Sequence, residues 1–571
     1  MNYDSKDPSR RSNNYWLASS RLLLIASMIG IGTGLASIAF KVLIEIINGL
    51  FFIQSSRVLK SLLGEYYLIL LPALGGLLAG SIVYFWGREK GGYGVSEVMA
   101  VVDQDGIMKA GPVWAKTFAS AVTIGSGGSA GLHGPIVHIG SSIGSVVGQK
   151  FQVSPDILRT LLACGAAGGI SATFNAPIGG VLFAQEVILG RFSSSNFILI
   201  VISSLISAII SRVYWGDYPS FMVPPYELIT PGELLFYLVL GVLAGTLAVI
   251  FIKALYSAED LFKQIPLPNY LKPALGGLLV GLMGVYYPQI FGVGYESVEG
   301  ILSNDLSWYL VVILMGAKLI ATSLTLGSGG LGGVFAPSLY MGSMLGGSYG
   351  YLLNQLFPSM TALPGAYALV GMAGVFAGIA QAPITAIIII FEMTGDYKVV
   401  LPLMLVCVIS ALVARGICPE SIYTLKLVRE GRDPYKGEKI DKMGQTLVQS
   451  VMTSEVETLD INYSLKTARE IMQQRSHTGF PVMSDGRLLG LVTYEQVLSA
   501  LKRDENSCLR EIIKPDLIYV HPQDTIAVVV EKMAEGDVGR LPVVDPEDPG
   551  ILLGIVSRSD IIEAYSMAAQ R

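Results

Sequence analysis

The sequence is poor in charged residues, histidine and cysteine. Charged residues make up 15% of its 571 residues, well below the average of about 25% for globular chains. The four cysteines form no C-x-x-C pair and the four histidines no H-E-x-x-H pattern, so neither a disulfide framework nor a common zinc motif is indicated. A net charge of −5 offers no basic surface for nucleic acid. We therefore expect no partner nucleic acid and no wholly soluble enzyme.

Hydrophobic residues, by contrast, make up 52% of the chain. Long apolar stretches recur through its first three quarters, and several have the roughly 20 residues that a helix needs to cross a bilayer. Nearly half of all charged residues lie in 427–571 instead. We predict an N-terminal tail at 1–19, a membrane domain at 20–426 and a charged linker at 427–447.

Basic residues flank the apolar region on both sides. Arg10, Arg11 and Arg21 precede it, and Lys426 and Arg429 are among the cations that follow it. Positive charges favour the cytoplasmic side of a membrane. This pattern predicts an integral protein of the inner or plasma membrane with both termini in the cytoplasm.

The membrane part contains an internal repeat. The block at 72–78 (Pro-Ala-Leu-Gly-Gly-Leu-Leu) recurs at 273–279, and three further blocks recur in the same order at similar offsets. This divides the domain into repeats at about 20–215 and 231–425. Duplicated membrane halves with broken helices in matching places are typical of transporters, which bind their substrate where the repeats meet.

Three Gly-rich segments interrupt the apolar spans, at 92–97, 131–135 and 333–337. Pro135 and Pro337 indicate helix starts, because proline is favoured in the first turn. A helix start offers unpaired N–H groups and a partial positive charge, which suit an anion. These segments contain no Lys or Arg, and dipoles alone would hold an anion weakly enough for it to move on.

Followed by Tyr423 in Ser-Ile-Tyr-Thr, these three segments resemble those of the CLC family of chloride channels and chloride/proton exchangers. The tail resembles a pair of CBS modules. The resemblance implies a polytopic α-helical membrane protein with two inverted repeats of short broken helices, plus a cytoplasmic α/β CBS-pair domain. It also implies a homodimer in the lipid bilayer with chloride as the permeant ion, no required cofactor and no enzymatic activity.

By the same resemblance, the anion is held by the broken segments and one tyrosine hydroxyl. The residues concerned are Tyr93, Gly94, Gly131, Leu132, His133, Val334, Phe335 and Tyr423. The chain departs from the family pattern at four positions: Tyr93 stands where the family has Ser, Ser96 where it has Pro, His133 where it has a gating Glu, and Val187 where exchangers have an inner Glu. Neighbouring Glu186 should face about 100° away on a helix.

Because both proton-carrying carboxylates are missing, we predict a passive, proton-uncoupled chloride channel that His133 gates and makes pH-sensitive. The alternative is a chloride/proton antiporter with a non-standard proton path through His133 or Glu186. A third possibility is a non-conducting nucleotide-sensing receptor, although a receptor has no need of matched broken helices. For Glu186 and its repeat equivalent Glu392 we favour a structural role, capping or pairing within each repeat.

The tail also repeats, because Pro481-Val482 and the strand after it are matched by Pro542-Val543 and its strand. We predict CBS modules at 448–505 and 509–571. The pattern indicates a site for adenine nucleotide (ATP, ADP or AMP) formed by Thr478, Phe480, Ser557 and Asp560. In the first module, Gln496 stands at the position that Asp560 has in the second. The alternative is a tail that stabilises the dimer and binds no ligand.

Overall fold

The computed structural model describes residues 8–54, 60–61, 63–87, 94–104, 106–192, 197–217, 221, 229–432, 446–475, 477–504, 507–513 and 517–563. The chain divides into two compact units, one ending at Pro434 and one beginning at Tyr435. The first unit is helical and the second mixes helices with short strands.

The first half of the helical unit contains, in its described ranges, α1 (Pro8–Asn48), α2 (Tyr67–Trp86), α3 (Val95–Val102), α4 (Ala110–Gly125), α5 (His133–Lys150), α6 (Pro155–Phe174), α7 (Pro177–Phe183) and α8 (Phe197–Trp215). The second half contains α9 (Leu234–Gln264), α10 (Lys272–Gly284), α11 (Tyr295–Leu302), α12 (Trp308–Gly327), α13 (Phe335–Leu356), α14 (Pro364–Ala380), α15 (Pro383–Thr394) and α16 (Val400–Ile417). A short helix, α17 (Ile422–Arg429), ends the unit. In the described residues, seven helices are long and apolar enough to cross a membrane.

The two halves match element by element, from α1 with α9 to α8 with α16. Local sequence explains several of the matched ends. Proline occupies the first turn of α6 and α7 and of their partners α14 and α15. Asn175 and Gln381, at φ +58° and +54°, end α6 and α14 in the left-handed conformation. The repeat in the sequence is therefore a repeat in the structure.

Glycine allows matched helices to pack backbone to backbone. A Cβ on Gly165 of α6 would overlap the carbonyl oxygen of Gly140 on α5, and a Cβ on Gly140 would overlap that of Gly165. Gly342 on α13 and Gly371 on α14 have the same relation in the second half. These four positions have room for no side chain, so they fix the separation of each helix pair.

Contacts between the halves are reciprocal and antiparallel. A Cβ on Gly76 of α2 would strike the backbone of Pro273, and one on Gly277 of α10 would strike the backbone of Pro72. The segments before α5 and α13 pair as an antiparallel bridge between Gly131 and Gly333. This exchange of equivalent contacts agrees with two inverted repeats.

The second unit contains two similar modules. The first has β1 (Leu459–Asp460), α18 (Leu465–Arg475), β2 (Gly479–Ser484), β3 (Arg487–Thr493) and α19 (Tyr494–Leu501). The second has α20 (Ile526–Glu535), β4 (Arg540–Val544) and β5 (Leu552–Ser557). Strands β2 and β3 pair antiparallel, as do β4 and β5, and β1 lies parallel to β2. Each module has its own apolar core.

Candidate anion site

The two Gly-rich segments that precede α5 and α13 touch each other. The Gly131 N–H donates to the Gly333 carbonyl at 2.7 Å, and the Gly333 N–H donates to the Gly131 carbonyl at 2.6 Å. Helix α5 begins at His133 and α13 at Phe335, each two residues before its proline. Two helix starts from opposite repeats therefore converge, as the sequence predicts. The partial positive charges of both ends act on the same small region.

A cavity of about 680 Å³ lies beside this convergence. Five of the predicted anion-binding residues line it together: Gly94, His133, Val334, Phe335 and Tyr423. Gly131 and Leu132 are not part of its wall; Gly131 forms the bridge, and Leu132 packs in an apolar cluster behind it. Tyr93 lies outside the described residues.

Aromatic rings pack around His133. The imidazole stacks on Phe174 with ring centres 3.9 Å apart and an angle of 5°, and it lies 5.1 Å from Phe335. Phe335 in turn lies 3.9 Å from Phe376. The sequence analysis missed Phe174 and Phe376, yet they are separated by 202 residues, as are His133 and Phe335. Comparing the repeats position by position would have found them.

The two imidazole nitrogens of His133 have different surroundings. Nε2 lies 3.3 Å from the hydroxyl oxygen of Tyr295, at the start of α11. Nδ1 is buried and has no hydrogen-bond partner among the described residues. A buried polar atom without a partner costs free energy, so this nitrogen is suited to bind a proton or a polar guest.

Tyr423 is positioned by its own helix start and by α9. The Ser421 side chain caps α17 by accepting a hydrogen bond from the Thr424 N–H at 3.2 Å. The Tyr256 hydroxyl donates to the Ile422 carbonyl at 2.6 Å. These bonds hold the tyrosine on the cavity wall, where it is 6% exposed.

The paired glutamates Glu186 and Glu392 bind helix starts. Glu186 accepts hydrogen bonds from the Thr385 N–H at 2.7 Å and the Thr385 hydroxyl at 2.6 Å, at the start of α15. Glu392 accepts from the Ile178 and Gly179 N–H groups at 3.1 and 2.6 Å, at the start of α7. The favoured capping role is thus confirmed, but the expectation of contacts within each repeat is wrong, because both contacts cross between the repeats.

Formally charged side chains also line the cavity, namely Lys116, Glu259, Lys263, Lys272 and Lys426. Lys116 on α4 is part of the wall, although the Gly-rich segments themselves carry no cation. Its ammonium donates to both oxygens of Glu97, each at 2.9 Å, which neutralises its charge locally. The expectation of a site formed by dipoles alone is therefore incomplete: a neutralised lysine adds to the helix starts.

In the second unit, the predicted nucleotide residues are distributed around Arg540. Its guanidinium donates to the Thr478 hydroxyl at 2.6 Å and the Gly479 carbonyl at 2.8 Å, which joins the two modules. Burial lowers the pKa of Arg540, and the nearby Asp560 carboxylate opposes this effect. Asp560 accepts from the Ser557 N–H and hydroxyl, both at 2.7 Å.

Not every predicted nucleotide residue is accessible. Phe480 is buried in the core of the first module. In that module, Gln496 and Thr493 form a reciprocal helix cap, a geometry close to that of Asp560 with Ser557. Thr478, Arg540 and Asp560 thus bring together polar groups that suit a ligand.

Inverted repeats and converging helix starts with a cavity beside them define an integral membrane transport protein. The family model of the voltage gated chloride channel matches residues 75–415, and that of the CBS domain matches 448–503 and 509–567. The chain belongs to the voltage gated chloride channel family. The predicted family and fold class are confirmed.

Individual relatives agree with this assignment. The chain is 34% identical to a putative chloride channel protein, ClcB-like, of Ralstonia nicotianae, over 72% of this chain and 98% of the relative. It is 30% identical to the H(+)/Cl(-) exchange transporter ClcA of Vibrio parahaemolyticus, over 72% and 89%. A solved structure of a slow cyanobacterial Cl-/H+ antiporter matches with a TM-score of 0.67 and 25% identity, over 73% of this chain and 99% of that one.

These similarities contradict the prediction of a passive, proton-uncoupled channel, because exchange transporters and an antiporter are among the similar proteins. The prediction rested on the missing carboxylates at positions 133 and 187. Other titratable groups lie on or near the cavity wall. His133 itself lines the cavity, and Glu97 and His138 lie behind Lys116 on its wall.

Proposed function

We propose that this protein exchanges chloride for protons across a membrane. The observation that carries the proposal is the hydrogen-bonded pair of helix starts beside a cavity that Tyr423 and a titratable His133 both line. Helix starts and hydroxyls suit a small monovalent anion, and an imidazole nitrogen can bind a proton. The named exchangers among the relatives support chloride and the proton as the two substrates.

Within this proposal, Gly94, His133, Val334, Phe335 and Tyr423 form the anion site. We also propose that Gly131 and Leu132 contribute through the backbone conformation that brings α5 into place, and that Tyr93 adds a hydroxyl. The proton path uses His133 rather than Glu186. The Glu186 carboxylate already accepts three hydrogen bonds at the start of α15, so moving a proton through it would disrupt that contact.

The proposed assembly is a homodimer in the lipid bilayer, each subunit with its own anion pathway and both termini in the cytoplasm. The cationic residues that flank the apolar region on both sides support this orientation. We propose the following domain boundaries: the membrane domain at 20–426, the linker at 427–447, and the CBS modules at 448–505 and 509–571.

Coupled transport can be measured directly in proteoliposomes. We expect chloride efflux down its gradient to drive proton uptake into vesicles whose potential is clamped with valinomycin and potassium. Since exchange links the two ions, a proton gradient should in turn move chloride and shift the reversal potential. Vesicles without protein and vesicles treated with a protonophore are the controls. Chloride efflux without any proton uptake would contradict the proposal.

We propose that the polar residues around Arg540 bind an adenine nucleotide. Arg540 offers a cation for phosphate, and Thr478, Ser557 and Asp560 offer hydroxyl and carboxylate groups for phosphate and ribose. The nucleotide would modulate transport and is not required for it.

Replacing Arg540 by alanine should weaken nucleotide binding by about tenfold or more, since a hydrogen bond to a charged group contributes about 1.5–3 kcal/mol. Calorimetry of the full-length protein in detergent with ATP, ADP and AMP measures this. Arg487→Ala is the matched control, because Arg487 pairs with Asp548 at the opposite end of the β2–β3 hairpin from Gly479. No heat from any of the three nucleotides would favour a tail that only stabilises the dimer.

A further inference from the structure

A second titratable cluster lies behind the cavity wall. Its centre is Glu97 on α3, whose carboxylate accepts from Lys116 at 2.9 Å and lies 3.0 Å from Nε2 of His138. The side chains of Lys116 and His138 are 5% and 1% exposed, whereas that of Glu97 is 21% exposed. A carboxylate and an imidazole thus lie within hydrogen-bonding distance of each other inside the membrane unit.

Residues in and beside this cluster also line the cavity of the anion site or lie on the helix that begins there. Lys116 and Ser96, the residue before Glu97, line the same cavity as His133. His138 follows His133 on α5 by five residues, so it lies about 7.5 Å further along the helix axis at 1.5 Å per residue. The cluster is therefore close to the proposed anion site without replacing the groups that form it.

The groups facing Glu97 come from several elements. Among the described residues, Lys116 on α4 and His138 on α5 are the charged or titratable groups paired with it. Helix α17, which also packs against α3, places Tyr423 in the cavity. The turn after α7 carries Glu186, whose carboxylate is bound at the start of α15. Glu97 and His138 are consequently the acid–base pair at this position.

In the second repeat, neither a carboxylate nor an imidazole occupies the positions equivalent to Glu97 and His138. Ser297, Lys318 and Tyr340 occupy the positions equivalent to Glu97, Lys116 and His138. The Lys318 ammonium donates to the carbonyls of Ile290 and Gly292 at 2.9 and 2.8 Å and lies over the Tyr340 ring. Two backbone carbonyls and an aromatic ring hold this lysine, so packing does not require the carboxylate and imidazole of the first repeat.

We propose that Glu97 and His138 form the internal proton-binding site of the exchanger; this rests on the proposed chloride/proton exchange. With the lysine charged, the carboxylate ionised and the imidazole neutral, the cluster sums to zero charge. Binding one proton from water, at the imidazole or the carboxylate, raises the charge to +1. Chloride in the adjoining cavity stabilises that state, and by linkage the bound proton stabilises chloride by the same free energy.

The test measures proton uptake when chloride binds. Purified protein in detergent and a weakly buffered pH-indicator solution is mixed with chloride, or with isethionate as a large reference anion. We expect wild-type protein to take up protons with chloride, and His138→Gln and Glu97→Gln to take up clearly fewer. Tyr340→Phe, at the equivalent position of the second repeat, is the matched control and should behave as wild type.

His138→Gln is the decisive variant, since glutamine keeps a hydrogen-bond donor for Glu97 and leaves Lys116 paired. Chloride flux in proteoliposomes shows that each variant is folded, and we expect its proton-to-chloride ratio to fall. If wild type couples the two ions and both variants match it in uptake and ratio, this inference is wrong and the proposed exchange stands. If wild type moves no protons, the proposed exchange fails and this inference with it.

Discussion

Replacing His133 by alanine should uncouple the two ions: chloride continues to cross, and coupled proton movement falls by about 100-fold or more, as when a positioned proton carrier is removed. The imidazole is the titratable group at the convergence of α5 and α13, and its Nδ1 has no partner within the described ranges. Parallel recordings of chloride efflux and external pH in proteoliposomes measure both quantities on one sample.

Phe335→Ala is the matched control for this variant. Phe335 starts α13 as His133 starts α5, and both rings pack in the same aromatic cluster. Removing Phe335 opens the cluster without removing a titratable group, so the rate of chloride flux should change while protons stay coupled. If the His133 variant retained the wild-type proton-to-chloride ratio, the proposed proton path would be refuted.

Adding one methyl group at Gly165 should prevent the membrane unit from packing. Its Cβ would overlap the backbone of Gly140, so α5 and α6 would have to separate. Overpacking costs about 1–3 kcal/mol even where side chains can adjust, and a backbone carbonyl adjusts less. Because α5 carries His133 at its start, the anion site moves with the helix. Gly165→Ala should therefore reduce both the yield of folded protein and its chloride flux.

Gly371→Ala should reproduce this effect, since Gly371 faces Gly342 in the second repeat as Gly165 faces Gly140 in the first. Gly316→Ala on α12 is the control, because no atom lies within 4 Å of its added Cβ. Alanine is favoured over glycine in a helix by about 1 kcal/mol, so this variant should be at least as stable as wild type. Size-exclusion profiles and thermal unfolding in detergent compare the three. A monodisperse, active Gly165→Ala protein would contradict the packing argument.

The sequence allowed the architecture to be predicted because a duplicated chain reveals its own alignment. The matched blocks located both helix starts, and the structure places them in contact. The side chains that surround them were harder to predict. Tyr295 contacts His133 although 162 residues separate them in the chain. Phe174, at the end of another helix, stacks on the His133 ring. No local pattern encodes such contacts, because they depend on how broken helices cross.

The error about coupling has a similar origin. A prediction based on two missing carboxylates treated proton transport as the property of two positions. The structure instead surrounds the cavity with several titratable groups, among them Glu97 and His138, which are 41 residues apart in the chain. Their proximity follows from the packing of α3 against α5, which the spacing of residues in the sequence does not reveal.

The reciprocal glutamate caps also bear on the evolutionary origin of the chain. Glu186 completes a helix of the other repeat, and Glu392 returns the contact. In a two-fold interface, residue i meets residue j and j meets i, so a single half-length ancestor could have made the same pair of contacts with an oppositely inserted copy of itself. Fusion of two such dual-topology subunits would preserve the interface, whereas neither half alone could supply the cap it needs.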